Sequence, residues 1–192
     1  MAELVDALGS GSSGCISVGV QISPSAPFFR RDAMQVLVLF YSKGGHTRKL
    51  GEEIAKGVKS TGIQAIIKNT QDVTKKDFQE SSGIIAGSPV YFGGMAADLK
   101  RVFDEFVSIR KEMENKIGAA FATGAHHTGG KETTMLSILQ CFLIYGMIIV
   151  GDPMAASGHY GVACLQAPDK TAASDAFKLG ARVADLCKLL DT

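Results

Sequence analysis

The stretch Gln35-Val-Leu-Val-Leu-Phe-Tyr41, running into Ser42-Lys-Gly-Gly-His-Thr47 and then into a pattern ending near Lys59, decides the fold. The unbroken apolar run reads as a strand buried on both faces. Leu50, Ile54 and Val58, four apart, give the following helix one apolar stripe. Strand, short glycine- and hydroxyl-rich turn, helix is an order that builds an anion site. The N–H groups of the turn and the helix N-terminus converge on one point, and the helix dipole favours negative charge there. The turn has neither G-x-x-x-x-G-K-[ST] nor G-x-G-x-x-G spacing, so neither a triphosphate cradle nor a dinucleotide pyrophosphate site is expected. What remains is a compact site suited to a single terminal phosphate. Ser42, Lys43, Gly44, Gly45, His46 and Thr47 would form it, with Thr47 as a plain helix cap the simpler alternative.

The same alternation continues outward. Ile63 to Ile67 and Ser82 to Gly87 read as strands, and Leu99, Val102, Phe103 and Phe106 mark a helix between the latter and a strand at Lys116 to Thr123. Lys131 to Tyr145 reads as a helix, Met147 to Val150 as a fifth strand, and Thr171 to Leu190 as a last helix. Short apolar strands separated by amphipathic helices imply an α/β fold, with a mostly parallel sheet covered on both faces. Right-handed crossovers leave the doubly wound five-stranded order 2-1-3-4-5 as the natural topology. Ligands of such sheets bind outside the carboxyl ends of the strands, which draws attention to the loops after strands one, three and four.

Those loops are all glycine-rich. In Ser88-Pro-Val-Tyr-Phe-Gly-Gly94, Pro89 fixes the backbone, Val90 follows it, and Gly93 allows close approach, while Tyr91 and Phe92 offer an aromatic wall. Two adjacent aromatics at a strand exit cannot easily both point inward. In Thr123-Gly-Ala-His-His-Thr-Gly-Gly130, the small residues Thr123, Gly124, Ala125, Gly129 and Gly130 let backbone lie against a flat ring and donate N–H groups to carbonyl oxygens. Adjacent His126 and His127 without nearby carboxylates do not make a metal site, so no metal is expected. A monophosphate at the first loop and a planar, hydrogen-bonding ring between the other two together describe flavin mononucleotide.

Composition narrows the class. A chain of 192 residues with a formal charge of +1 and no basic run argues against a nucleic-acid binder. The most apolar segment, Leu136 to Val150, is too short to span a bilayer and contains Gln140 and Gly146. Cys15, Cys141, Cys164 and Cys187 form no C-x-x-C pair, consistent with a reducing, cytoplasmic setting. Residues 1–33 differ in character, being rich in Ser and Gly and poor in apolar density, and they are expected to be non-native or disordered. They resemble the translation of a transfer-RNA gene: Gly19-Val-Gln-Ile22 can encode a T-arm sequence, and Ser25-Ala-Pro27 can end in a CCA tail. Met34 is then the natural start and residues 34–192 the folded domain; a tail that packs on a neighbouring subunit is the alternative. Removing the two arginines and three acidic residues of 1–33 leaves the domain at +2.

The motifs Val38 to Thr47 and Gly87 to Met95 resemble those of the flavodoxin-like NAD(P)H-dependent oxidoreductases, in particular the WrbA-type NAD(P)H:quinone oxidoreductases. Gly129-Gly-Lys-Glu132, Tyr145-Gly-Met-Ile-Ile-Val150 and His159-Tyr-Gly161 extend the similarity over nearly all of residues 35 to 190. The resemblance implies an FMN enzyme that takes a hydride from NADH or NADPH and passes two electrons to a quinone-like acceptor in ping-pong order. It also implies a homo-oligomer, dimer or tetramer, without nucleic acid or an integral membrane segment. His126 and Tyr145, where this chain departs from the family pattern, are expected to shape or polarise the substrate pocket as its catalytic residues. A one-electron carrier flavodoxin is the competing reading, but such carriers present strongly acidic faces, against the balance of +2.

Overall fold

The computed structural model describes residues 34–190. The expectations for residues 1–33, Cys15 among them, lie outside the described residues. Strand β1 (Gln35–Phe40) leads into α1 (His46–Ser60), and β2 (Gln64–Asn69) and α2 (Lys75–Glu80) follow. Next come β3 (Gly83–Pro89), α3 (Ala97–Glu105), a 3₁₀ helix (Val107–Met113) and β4 (Ile117–Gly124). The chain closes with α4 (Lys131–Ile144), β5 (Ile148–Ile149), β6 (Val162–Leu165) and α5 (Lys170–Leu189). All pairings within the sheet are parallel and the order is β2-β1-β3-β4-β5, as the alternation predicts.

The fifth position of the sheet differs from the expectation. Met147 to Val150 contributes only Ile148 and Ile149, which pair with Ile117 and Gly118 at the start of β4. The chain then leaves the sheet at Gly151-Asp-Pro153, where proline cannot continue a ladder. It returns as β6, beside Phe121 to Gly124 at the other end of β4. Helix α2 was also not expected. It is set by Thr74, whose hydroxyl accepts from the Asp77 N–H while the Asp77 carboxylate accepts from the Thr74 N–H, a reciprocal cap.

Alternation along the strands splits the core in two. Val36, Val38, Phe40, Ile85, Ala119 and Phe121 pack under α1 and α5, whereas Leu37, Leu39, Ile84, Ala86 and Ala120 pack under α2, α3 and α4. On the first face the two helices touch through glycine. A Cβ on Gly57 would stand 1.9 Å from the Phe177 carbonyl oxygen, and one on Gly180 would stand 2.0 Å from that of Ile54. Elsewhere in a helix a glycine-to-alanine change stabilises by about 0.5–1 kcal/mol. Here it forces two backbones apart, so Gly180→Ala is expected to lower unfolding free energy by about 1–3 kcal/mol in a denaturant titration. A stabilised Gly180→Ala variant would show that the helices do not meet in this way.

Candidate active site

The three loops meet at the carboxyl end of the sheet, because β1, β3 and β4 are parallel neighbours in register. Phe40 lies beside Gly87, and Gly87 beside Phe121. Direct bonds then tie the loops to one another. The buried hydroxyls of Thr47 and Thr123 lie 2.8 Å apart, joining the first loop to the third. The Val90 N–H donates to the Thr123 carbonyl at 2.8 Å, joining the second to the third. Thr133 of α4 donates its hydroxyl proton to the Gly93 carbonyl at 2.6 Å. Gly130, at φ 91°, approaches Gly93 so closely that a Cβ would stand 3.1 Å from the Gly93 Cα.

The first loop leaves its donors open. The backbone N–H groups of residues 43–47 have no protein acceptor among the described residues, whereas Arg48 N–H donates to the Ser42 hydroxyl at 3.3 Å. Gly45 precedes the helix at φ 83° and supplies no side-chain cap, and the first turn of α1 carries no acidic residue. The His46 Nδ1 is buried without a partner among the described residues. A helix N-terminus with free donors and no acid of its own fits an anion.

The second loop is a tight hairpin. Tyr91 and Gly94 exchange two backbone bonds of 3.0 Å, and Phe92 and Gly93 both take positive φ, 50° and 77°. This is a type I′ turn, which ordinarily selects Asn or Gly at the position held by Phe92. An aromatic residue there is strained, and its ring is fully exposed. Below it Ser88 is buried. It accepts from the Ala96 N–H at 2.8 Å and donates to the Pro89 carbonyl at 2.7 Å, which fixes the path of the loop into α3. Tyr91 packs edge-on against Tyr41, their ring centroids 6.1 Å apart, and partial desolvation with the neighbouring Tyr91 raises the Tyr41 phenol above its ordinary pKa.

The third loop carries His126 and His127 exposed at its tip. His126 therefore lies with the cluster, but Tyr145 does not, which corrects the expectation for that residue. Tyr145 ends α4, whose other end adjoins the loops about 20 Å away by helix rise. Its ring is buried against Phe78 and Phe103, and its hydroxyl donates to the Phe103 carbonyl at 2.6 Å. Burial drives its phenol well above the usual range, so it is a core residue that stays protonated. Burial likewise lifts the Cys141 thiol and pushes that of Cys164 up to about 11, which leaves both poor nucleophiles at neutral pH.

Three contributors escaped the sequence reading as site residues: Tyr41, Lys131 and Thr133. Thr133 gave no signal, since a threonine in the first turn of a helix reveals nothing of a bond across to Gly93. A cavity of about 440 Å³ lies to one side, bounded by β6, the start of α5, the segment from Asp152 to Gly161 and the start of α4 at Lys131, Glu132 and Met135; it shares His127 with the third loop. None of its lining residues comes from the first or second loop.

Known proteins converge on this architecture. Residues 68–161 match the family model described as NADPH-dependent FMN reductase. An iron–sulfur flavoprotein of Methanocaldococcus jannaschii is 40% identical over 139 residues, covering 69% of this chain and 72% of its own. A flavodoxin of Clostridium saccharobutylicum is 32% identical over 159 residues, covering 81% and 98%. An NAD(P)H dehydrogenase (quinone) of Archaeoglobus fulgidus is 30% identical over 188 residues, again covering 81% and 98%. Among solved structures, a WrbA-like flavodoxin from Agrobacterium tumefaciens superposes with a TM-score of 0.72 at 20% identity, covering 82% of this chain and 99% of that one, and so supports the fold. The three loops and the doubly wound sheet thus define a flavodoxin-like flavoprotein. Within that class the chain belongs to the FMN-dependent NAD(P)H oxidoreductases.

The Thr47–Thr123 pair makes the coupling of loops measurable. Truncating either hydroxyl strands the other in a buried site, at a cost of about 1–3 kcal/mol. Thr47→Val and Thr123→Val are each expected to destabilise by about that amount, and the double variant by less than their sum. Strict additivity in a double-mutant cycle would show that the hydroxyls do not bond.

Proposed function

We propose that the protein transfers two electrons from NADH or NADPH to a quinone-like acceptor, with FMN held across the three loops. The open donors at the head of α1 are the observation that carries the cofactor assignment. Residues 43–47 present free N–H groups beside the Ser42 hydroxyl, with no acid in the first helical turn to compete with a terminal phosphate. Pro89, Val90, Tyr91, Phe92 and Gly93 would wall one side of the ring. Thr123, Gly124, Ala125, Gly129 and Gly130 would bring backbone against its other side. When bound, FMN would supply the two-electron redox chemistry between nicotinamide and acceptor.

The chain's own residues then have limited tasks. The ring of Phe92, held outward by its turn and fully exposed, would cover the edge of a bound flavin ring and exclude water there. His126, exposed on the third loop, would polarise an acceptor oxygen. No nucleophilic side chain is required, in keeping with the raised thiols. The carrier reading is disfavoured by the near-neutral charge, since partner docking among carriers depends on a strong field of one sign. Self-association is part of the proposal as well. Leu143 and Ile144 of α4 and Ile148 and Ile149 of β5 are exposed aliphatic side chains, which a dimer or tetramer would cover at least in part.

Purified protein is expected to be yellow and to release FMN on denaturation. Under anaerobic conditions NADPH or NADH should bleach the flavin by two electrons, and a quinone should restore the colour. Flavin that stays oxidised with both nicotinamides would overturn the oxidoreductase reading in favour of a carrier.

A further inference from the structure

The tip of the third loop is a β-turn. Gly129 N–H donates to the His126 carbonyl at 3.3 Å, with His127 and Thr128 at the corners. Beneath it lies a buried cation. Lys131 Nζ donates to the carbonyls of His126 at 3.1 Å and His127 at 2.7 Å. Its stem runs tightly past Gly124, where a Cβ would stand 3.0 Å from the Lys131 Cγ. Lys131 is also the first residue of α4, where the helix dipole opposes positive charge. It forms no salt bridge among the described residues. A largely buried lysine whose ammonium faces two neutral carbonyls and a helix N-terminus adds little to stability, since an apolar residue of the same shape would avoid the cost of burying charge.

Peptide geometry gives the lysine a different use. Across a trans peptide the C=O and the N–H point in opposite directions. With the His126 and His127 carbonyls drawn in toward Lys131, the N–H groups of His127 and Thr128 are turned out to the surface. Neither donates to a protein acceptor among the described residues, and both residues are exposed.

We propose that Lys131 is a positioning residue that locks this turn, so that the His127 and Thr128 N–H groups form a preset donor pair for a carbonyl oxygen that gains electron density on reduction. The inference rests on the flavin reading given above. That oxygen belongs either to the cofactor ring or to the acceptor, and the chemistry is the same: fixed donors aimed where charge develops, with the ammonium adding a positive field.

Lys131→Met keeps the shape and removes both bonds, whereas Lys131→Gln keeps an N–H₂ donor without the charge. In apoprotein, nitrogen-15 relaxation at His127 and Thr128 should report order close to that of β4 in the wild type. That order should be lost in Lys131→Met, with the unfolding temperature unchanged or raised, and partly kept in Lys131→Gln. In loaded protein, FMN affinity should fall about tenfold or more in Lys131→Met if the oxygen is the cofactor's. If it is the acceptor's, the KM for the quinone should rise by that factor at unchanged FMN affinity. Equal backbone order in wild type and Lys131→Met would overturn the proposal, as would unchanged FMN affinity together with unchanged KM. Wild-type protein that binds no FMN would instead defeat the flavin reading, while the relaxation measurement would still judge the role of Lys131.

Discussion

One aromatic ring sets the spacing on which the loop cluster depends. Phe121 of β4 is fully buried beneath the loops, and its ring lies over Gly87 of β3 so closely that a Cβ there would stand 2.2 Å from it. The same ring reaches Gly51 of α1, where a Cβ would stand 3.2 Å away. The elements that carry the first, second and third loops thus meet around a single side chain, each yielding space with a glycine or supplying the ring itself. Close packing makes such a contact nearly incompressible. The loops above can therefore be joined by single bonds, Thr47 to Thr123 and Val90 to Thr123, without large clusters of their own.

Each loop departs from ordinary local preferences in a different way. The first leaves helix donors open, the second puts an exposed phenylalanine at positive φ, and the third buries an ammonium at the wrong end of a helix. Three different conflicts gathered in one cluster of loops are what a functional site leads one to expect. The far end of the sheet is satisfied bond by bond, although Asn115 takes φ 66° and the buried Lys116 donates to the Phe78 and Gln79 carbonyls at 2.9 and 2.6 Å. Tyr145 is buried with its hydroxyl satisfied, and Asn115 and Gly146 close the turns there by a backbone bond of 3.0 Å.

Much of this was legible in the chain because parallel α/β folds write their periodicity plainly. The strands from Gln35, Ser82 and Lys116 fall within a few residues of their observed limits, and their order is the natural one among the few that right-handed crossovers leave. The split fifth position was not legible. Val162 to Leu165 is a short strand at the edge with alternating burial, and its pairing beside Phe121 depends on where the chain goes after Pro153. Tyr145 was misplaced because a resemblance gives a position in sequence, whereas reach depends on which end of a fourteen-residue helix that position occupies. The brace from Lys131 escaped notice for a related reason. A lysine after two glycines looks like a solvated helix start until its amine is seen to bond two carbonyls beneath the loop.

The central claim is that the open donors at the head of α1 hold the phosphate of a flavin whose ring lies between the other two loops. Titration of the apoprotein with FMN and with riboflavin, which lacks only the phosphate, tests it most directly. The account predicts that FMN binds about a hundredfold more tightly than riboflavin, the difference residing in the charge-assisted bonds of residues 42–47. Equal affinity for the two would contradict it.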